Sequence, residues 1–193
     1  MSIERRTAIA ALFAQRPDDL LIVTGLGSTT WDLASLGDDD RNFYLWGAMG
    51  GAAMVGLGIA LARPDKRVAV VTGDGEMLMG LGSLATIALK RPPNLAVIVF
   101  DNGRYGETGM QESHTAHAAD LVAAARACGI HNVFDVDSAS AIDAFAAHLT
   151  GFKETLFARI RIAASDPPRV LPIRDGVALK TRFRRASGAV EAR

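Results

Sequence analysis

The sequence predicts an α/β fold, a doubly wound parallel sheet with helices on both faces. Three observations predict it. Short apolar runs at 20–24, 67–72 and 94–100 read as strands buried on both faces. Stretches of helical period separate them, the alternation that a parallel sheet needs. Two of the runs end in small and polar residues, Gly73-Asp74-Gly75 and Asp101-Asn102, at the carboxyl ends where open α/β sheets bind ligands.

In chain order, residues 2–15 read as an amphipathic helix stopped by Pro17. Leu20-Leu-Ile-Val-Thr24 is a strand that runs into the loop Gly25-Leu-Gly-Ser-Thr-Thr30. Asp38-Asp-Asp-Arg41 is a solvated turn. Residues 43–62 carry no charge over about the length of a membrane span, yet they hold five glycines and five alanines. We read 47–62 as a buried, tightly packed helix, ended before Arg63-Pro64. Strand 67–72, helix 78–90, a Pro92-Pro93 break and strand 94–100 follow. Residues 103–116 have no clear period and form a polar loop. Helix 118–128 has Gly129 placed to end it, and strand 133–136, helix 139–149 and strand 155–162 complete the domain. The expected organisation is one domain over 1–163 and a C-terminal arm over 164–193, extended and packed on the domain or on a partner. The arm holds Pro167, Pro168, Pro172 and the basic run Lys180–Arg185.

Composition narrows the function. The 193 residues include 21 basic and 21 acidic side chains, so the formal net charge of zero argues against nucleic acid and polybasic membrane binding. A single cysteine, Cys128, excludes an intramolecular disulfide and a cysteine-held iron–sulfur cluster within the chain. The start lacks the apolar density of a signal peptide, so a cytoplasmic protein is expected.

Asp74 and Asn102 stand 28 positions apart, each at a strand end. A carboxylate and an amide oxygen beside flexible glycines form a hard-oxygen site for Mg²⁺ and a phosphate ester. Taken singly, Asp74 also fits a helix N-cap and Asn102 an ordinary turn. Met49 fits core filler on a Gly-rich helix.

Together, Gly73-Asp74-Gly75 and Asp101-Asn102 resemble the binding motif of the thiamine diphosphate-dependent enzymes. Asp101 departs from the usual Asn at the first position of the second pair. The resemblance covers about residues 20–163 and implies the diphosphate-binding fold of that superfamily. It implies Mg²⁺ held by the Asp74 carboxylate, the Asn102 side-chain oxygen and the Arg104 backbone carbonyl. Leu45-Trp-Gly-Ala-Met-Gly-Gly51 resembles the segment that holds the cofactor bent. By position the Gly47 carbonyl would accept from the aminopyrimidine, and Met49 would wedge between the two rings. Gly25, Ser28 and Thr29 would face the diphosphate, and Gly73, Gly75, Glu76 and Tyr105 would border the cofactor. The loop after Asn102, with Thr108-Gly-Met-Gln111 and His114-Thr115, looks most like sulfopyruvate and phosphonopyruvate decarboxylases. In it Arg104, Gln111 and His114 are candidates for holding an anionic substrate or moving a proton, and a plain surface loop is the alternative.

The resemblance also implies a partner. These decarboxylases use a second, pyrimidine-binding domain that supplies an activating glutamate. No glutamate here (Glu4, Glu76, Glu107, Glu112, Glu154, Glu191) matches that motif. The expected protein is therefore the β-type subunit of a hetero-oligomer such as α₂β₂. Its substrate would be a small 2-oxo acid, decarboxylated to an aldehyde. A carboligase or 2-oxo acid oxidoreductase subunit, a non-catalytic regulatory subunit and a nucleotide-binding domain using Gly25–Thr30 are the alternatives. The last is weakened by the missing third glycine of a dinucleotide loop.

Overall fold

The computed structural model describes residues 3–189. Ser2 of the expected first helix, and residues 190–193 of the arm with Glu191, lie outside the described residues. Eight α-helices and eight strands are present in that range. Six strands form one sheet: β1 (Leu20–Thr24), β2 (Asn42–Tyr44), β3 (Arg67–Gly73), β4 (Leu95–Asp101), β7 (Asn132–Val136) and β8 (Leu156–Arg161). They are all parallel, in the order β2-β1-β3-β4-β8-β7. The strand order reverses between β1 and β3, because the chain first steps out to β2 and then returns. Such a switch point opens a crevice at the strands' carboxyl ends.

Period-2 side-chain alternation splits the core in two. Leu20, Ile22, Ala69, Val71, Ile98 and Ile160 face α1 (Arg5–Phe13) and α7 (Ala139–Leu149). Val23, Val68, Val70, Val97, Val99 and Phe157 face α3 (Ala52–Ala62), α5 (Ser83–Lys90) and α6 (Leu121–Ala127). Every one of these strand residues is buried, which is why the strands read as unbroken apolar runs. Each fully buried aliphatic side chain contributes about 1.5–3 kcal/mol to such a core.

The expected fold class stands, and five of its elements need correction. The helix expected over 47–62 begins only at Ala52. Gly47 (φ 75°) and Gly50 (φ 79°) adopt left-handed backbone, which a right-handed helix cannot contain. Residues 42–44 pair with β1 instead, so the uncharged stretch is strand, loop and helix in turn. No helix among the described residues is long and apolar enough to cross a membrane. The expected loop 25–30 turns into α2 (Ser28–Ala34).

The expected helix 78–90 is two helices, α4 (Asp74–Met79) and α5, broken at Gly80-Leu81-Gly82. Gly80 packs against the Gly50 carbonyl so closely that a Cβ there would overlap it. The polar loop 103–116 contains a small antiparallel hairpin, β5 (Arg104–Tyr105) with β6 (Gln111–Glu112), and two 3₁₀ turns. Finally, the arm is not wholly extended. Residues 163–175 are irregular, and α8 (Gly176–Ala186) follows, capped by the Asp175 carboxylate, which accepts from Val177 and Ala178 N–H. It rests on β2 through Phe183 and Phe43, whose ring centroids are 5.3 Å apart.

Candidate active site

The carboxyl ends of β1, β3 and β4 border one cleft. Parallel register places Gly73 opposite Phe100, so the segments that leave β3 and β4 run side by side. Asp74 opens α4 and Asn102 follows β4, and both line the cleft. So do Ser28, Met49, Gly73, Gly75, Arg104 and Tyr105. Leu26, Phe100, Gly106, Glu107 and Thr108 complete the wall. The cleft is small, about 80 Å³. A larger cleft of about 340 Å³ lies between α1 and α7, beside the amino end of β1. It gathers no comparable polar set, so size alone does not select the site.

Asp74 is 2% exposed. It is not the N-cap of α4, because Gly73 holds that position. Its Oδ2 instead accepts from the Ser113 hydroxyl, and from Thr115 Oγ1 at 3.0 Å. Burial pushes the Asp74 carboxyl above the usual carboxylate range, the Ser113 hydrogen bond opposes that, and the charge of Asp101 adds to it. Thr115 Oγ1 also stands 2.7 Å from Asp101 Oδ1. One hydroxyl proton cannot serve two carboxylates at once. Two acidic groups, Asp74 buried and Asp101 half-buried, thus share a corner with hydroxyls, an arrangement that a hard cation would relieve.

Asn102 Oδ1 accepts from Arg104 N at 2.9 Å and Asp101 Oδ1 from Gly103 N at 3.0 Å, two successive turns that fix the strand end. Gly103 (φ 66°) permits the reversal. The donor types at Asp74, Asn102 and the Arg104 carbonyl fit Mg²⁺, an oxygen-seeking ion. No group of three or more His, Cys, Asp or Glu side chains is placed to hold a metal among the described residues. A site of one carboxylate, one amide and one carbonyl falls outside that pattern.

Gly75 lies under Tyr105, where a Cβ would come within 2.7 Å of the ring. Tyr105 in turn hydrogen-bonds His114 Nδ1, so His114 reaches the wall through Tyr105 without lining the cleft. Gln111 does not line it either. Its amide ties the hairpin, donating to Thr108 O at 2.9 Å and accepting from Thr108 Oγ1 at 2.9 Å. Glu107 covers the glycine loop, its Oε1 2.5 Å from where a Cβ on Gly27 would be.

Four further expected positions stand back from the cleft. Gly47 is outside its wall, and Thr29 is buried with no partner for its hydroxyl. Gly25 and Glu76 meet each other behind it. Glu76 is 8% exposed and points inward. It accepts from Thr72 Oγ1 at 2.8 Å and Ala52 N at 3.4 Å, with the backbones of Gly50 and Leu26 also bonded to it. Burial raises its carboxyl pKa, against the hydrogen bond from Thr72. Glu76 therefore knits the β1, α3 and β3 loops together.

The region over residues 26–158 matches the thiamine pyrophosphate enzymes, in their C-terminal TPP binding domain. The chain belongs to this family. A phosphonopyruvate decarboxylase of Streptomyces viridochromogenes is 45% identical over 161 residues, 80% of this chain and 40% of that protein. Sulfopyruvate decarboxylase subunit beta of Methanocaldococcus jannaschii is 42% identical over 113 residues, 58% of this chain and 60% of that protein. The chain thus spans about two fifths to three fifths of these curated relatives. The crystal structure of benzoylformate decarboxylase from Polynucleobacter necessarius superposes with a TM-score of 0.72 at 17% identity, over 87% of this chain and 34% of that one. That likeness shows the fold, which is the α/β fold of this enzyme family.

Sequence reasoning missed Ser113, which is fully buried on Asp74. A serine inside a polar loop carries no signal until the loop folds back across 39 positions. Thr115 was visible only as part of His114-Thr115.

Proposed function

We propose that this TPP-binding chain is the diphosphate- and Mg²⁺-binding subunit of a 2-oxo acid decarboxylase. It acts with a pyrimidine-binding partner and releases CO₂ and an aldehyde. The observation that carries the reading is the convergence of Asp74 and Asn102 on one cleft at neighbouring strand ends. Thiamine diphosphate, when bound, supplies the carbanion chemistry that removes CO₂.

The residues of this chain bind and orient. Asp74, Asn102 and the Arg104 carbonyl hold Mg²⁺, while Ser113 and Thr115 aim the Asp74 carboxylate. Met49, which stands 45% exposed at the cleft, shapes the cofactor by bulk without competing for protons. Tyr105 and His114 form a hydrogen-bonded pair beside the cleft that can move a proton at the substrate end.

A partner is supported by exposed apolar side chains at the cleft, on α3 and from α4 to the end of α5. Met49, Met54, Leu61, Met79, Leu81 and Leu89 are all exposed, from the loop before α3 to the end of α5. Exposed apolar side chains of that size mark a protein contact. The subunit naming of the M. jannaschii relative is consistent with that reading.

The test is calorimetry of thiamine diphosphate binding to the chain with its partner, with and without Mg²⁺. Product analysis on sulfonated, phosphonated and plain 2-oxo acids accompanies it. Mg²⁺-dependent binding lost in Asp74→Ala and Asn102→Ala, with aldehyde formed by the complex, is expected. Binding that survives both substitutions overturns the metal assignment. Ketol or acyl-CoA as the product overturns the decarboxylase.

A further inference from the structure

The family match ends at residue 158, and the chain then continues into the arm. That arm is fastened at intervals along its length. Ala163 N donates to Ile3 O at 2.7 Å, Arg5 Nη1 to Ser165 O at 3.2 Å, and Arg6 to the Pro168 carbonyl. Further on, the arm meets both tryptophans of the chain. The Arg169 guanidinium lies 4.4 Å over the ring of Trp31. The Arg174 guanidinium lies 5.8 Å from the ring of Trp46, whose Nε1 donates to Ile173 O at 3.2 Å. Helix α8 then closes on β2, with Arg182 paired to Asp38.

Trp46 is the residue before Gly47. The segment Gly47–Gly51 has no regular structure and holds three glycines, so its conformation is costly to fix. Its far end is pinned where Gly50 packs on Gly80 and Ala52 N reaches Glu76. Its near end is pinned by Leu45 N on Thr24 O at 3.1 Å and by the grip of the arm on Trp46. Between the two pins stand Gly47 and Met49.

We propose that the C-terminal arm is a positioning element of the active site, in which Ile173 and Arg174 hold Trp46 and thereby fix the Gly47–Met49 loop. The inference rests on the cofactor reading above. Trp46 and Arg174 are positioning residues here, with no contact to the reacting atoms.

The experiment uses the chain with its partner and two point variants, because removing α8 would also uncover Phe43. Trp46→Phe keeps an aromatic ring and removes the donor to Ile173. Arg174→Met keeps the stem and removes the charge over the ring. Trp46→Phe is expected to weaken Mg²⁺-dependent thiamine diphosphate binding by up to about tenfold, the scale of one lost hydrogen bond, and Arg174→Met by about threefold, the scale of an exposed cation–π contact. The thermal midpoint should move little. In a Trp31→Phe background Trp46 is the only tryptophan of this chain, and its emission, read on the chain alone without cofactor, should shift in Arg174→Met. An emission shift with unchanged cofactor affinity makes the arm a strap only and overturns the proposal. No shift shows that the arm does not hold Trp46 and overturns it too. Absence of cofactor binding by the unmodified complex sinks the site reading itself and takes the inference with it. In that case the emission still reports the grip of the arm, so the two failures are distinguishable.

Discussion

Glu76 fills the space that a side chain on Gly25 would need, so that a Cβ at position 25 would overlap its carboxylate. The carboxylate could swing away, but only by giving up Thr72 and the backbone of Ala52. Gly25→Ala is therefore expected to destabilise the chain by about 1–3 kcal/mol, the range for overpacking a filled interior. Chemical denaturation checks it. Glu76→Gln keeps the shape and should cost less than Glu76→Ala, which leaves the Thr72 hydroxyl and the Ala52 N–H without their acceptor. Equal stability of Gly25→Ala and the unmodified chain would remove Glu76 from that role.

The two hydroxyls on Asp74 give a second prediction. Residues that aim a metal ligand are worth about 10–100-fold in metal affinity when removed. Ser113→Ala and Thr115→Val should each raise the Mg²⁺ concentration needed for cofactor binding by about tenfold or more. Saturating Mg²⁺ should restore binding in both, whereas Asp74→Ala should not be rescued. A magnesium titration followed by calorimetry separates these cases. Unchanged magnesium dependence in Ser113→Ala would show that the serine is packing alone.

Much of this architecture was legible in the sequence, and the exceptions share a physical cause. Strands β1, β3 and β4 could be read because each is buried on both faces and ends in glycine or a turn residue. The Asp74 and Asn102 pairing followed from those ends. Strand β2 was hidden, because Phe43 and Tyr44 begin an apolar stretch that has no charge to mark its breaks. The helix at 47–62 was read too long for the same reason. The left-handed turns at Gly47 and Gly50 look, in sequence, like small residues of a packed helix. Glu76 was read as facing the cofactor from its place in the motif alone. Only the fold shows that it turns inward onto Gly25. The arm was read as extended because its prolines precede its helix, and the Asp175 cap restarts helix beyond them.

Acid stability should depend on the sheet edge. Asp135 on β7 accepts from Arg159 on β8 at 2.6 Å and from Arg161 at 3.0 Å. The hydrogen bond from Arg159 pulls its pKa down to about 2. Asp39, bonded to Arg41, is likewise held at about 2. An unfolded Asp titrates near 3.9. A folded carboxyl with a depressed pKa contributes stability that is fully present above the unfolded pKa and lost as pH falls through the folded one. The chain should therefore lose stability between about pH 4 and pH 2. Asp135→Asn should flatten that acid limb while lowering stability at neutral pH, because Arg159 is 7% exposed and would keep its buried charge. Thermal midpoints measured from pH 7 downward check both statements. An unchanged acid limb in Asp135→Asn would place the loss elsewhere.

Met49 decides between the two roles its sequence position allowed. A core filler would be buried, and its truncation would open a cavity costing about 2–5 kcal/mol. Met49 is instead 45% exposed and lines the cleft with Asp74 and Asn102. Met49→Ala should leave the denaturation midpoint of the isolated chain within experimental error. The same variant should lower turnover by the complex while Mg²⁺ affinity stays unchanged, since no metal contact is lost. Met49→Leu, which restores the bulk but not the sulfur, should recover most of the rate if shape is what the residue supplies. A stability loss in Met49→Ala comparable to that of a core truncation would return Met49 to the interior and take the wedge out of the site.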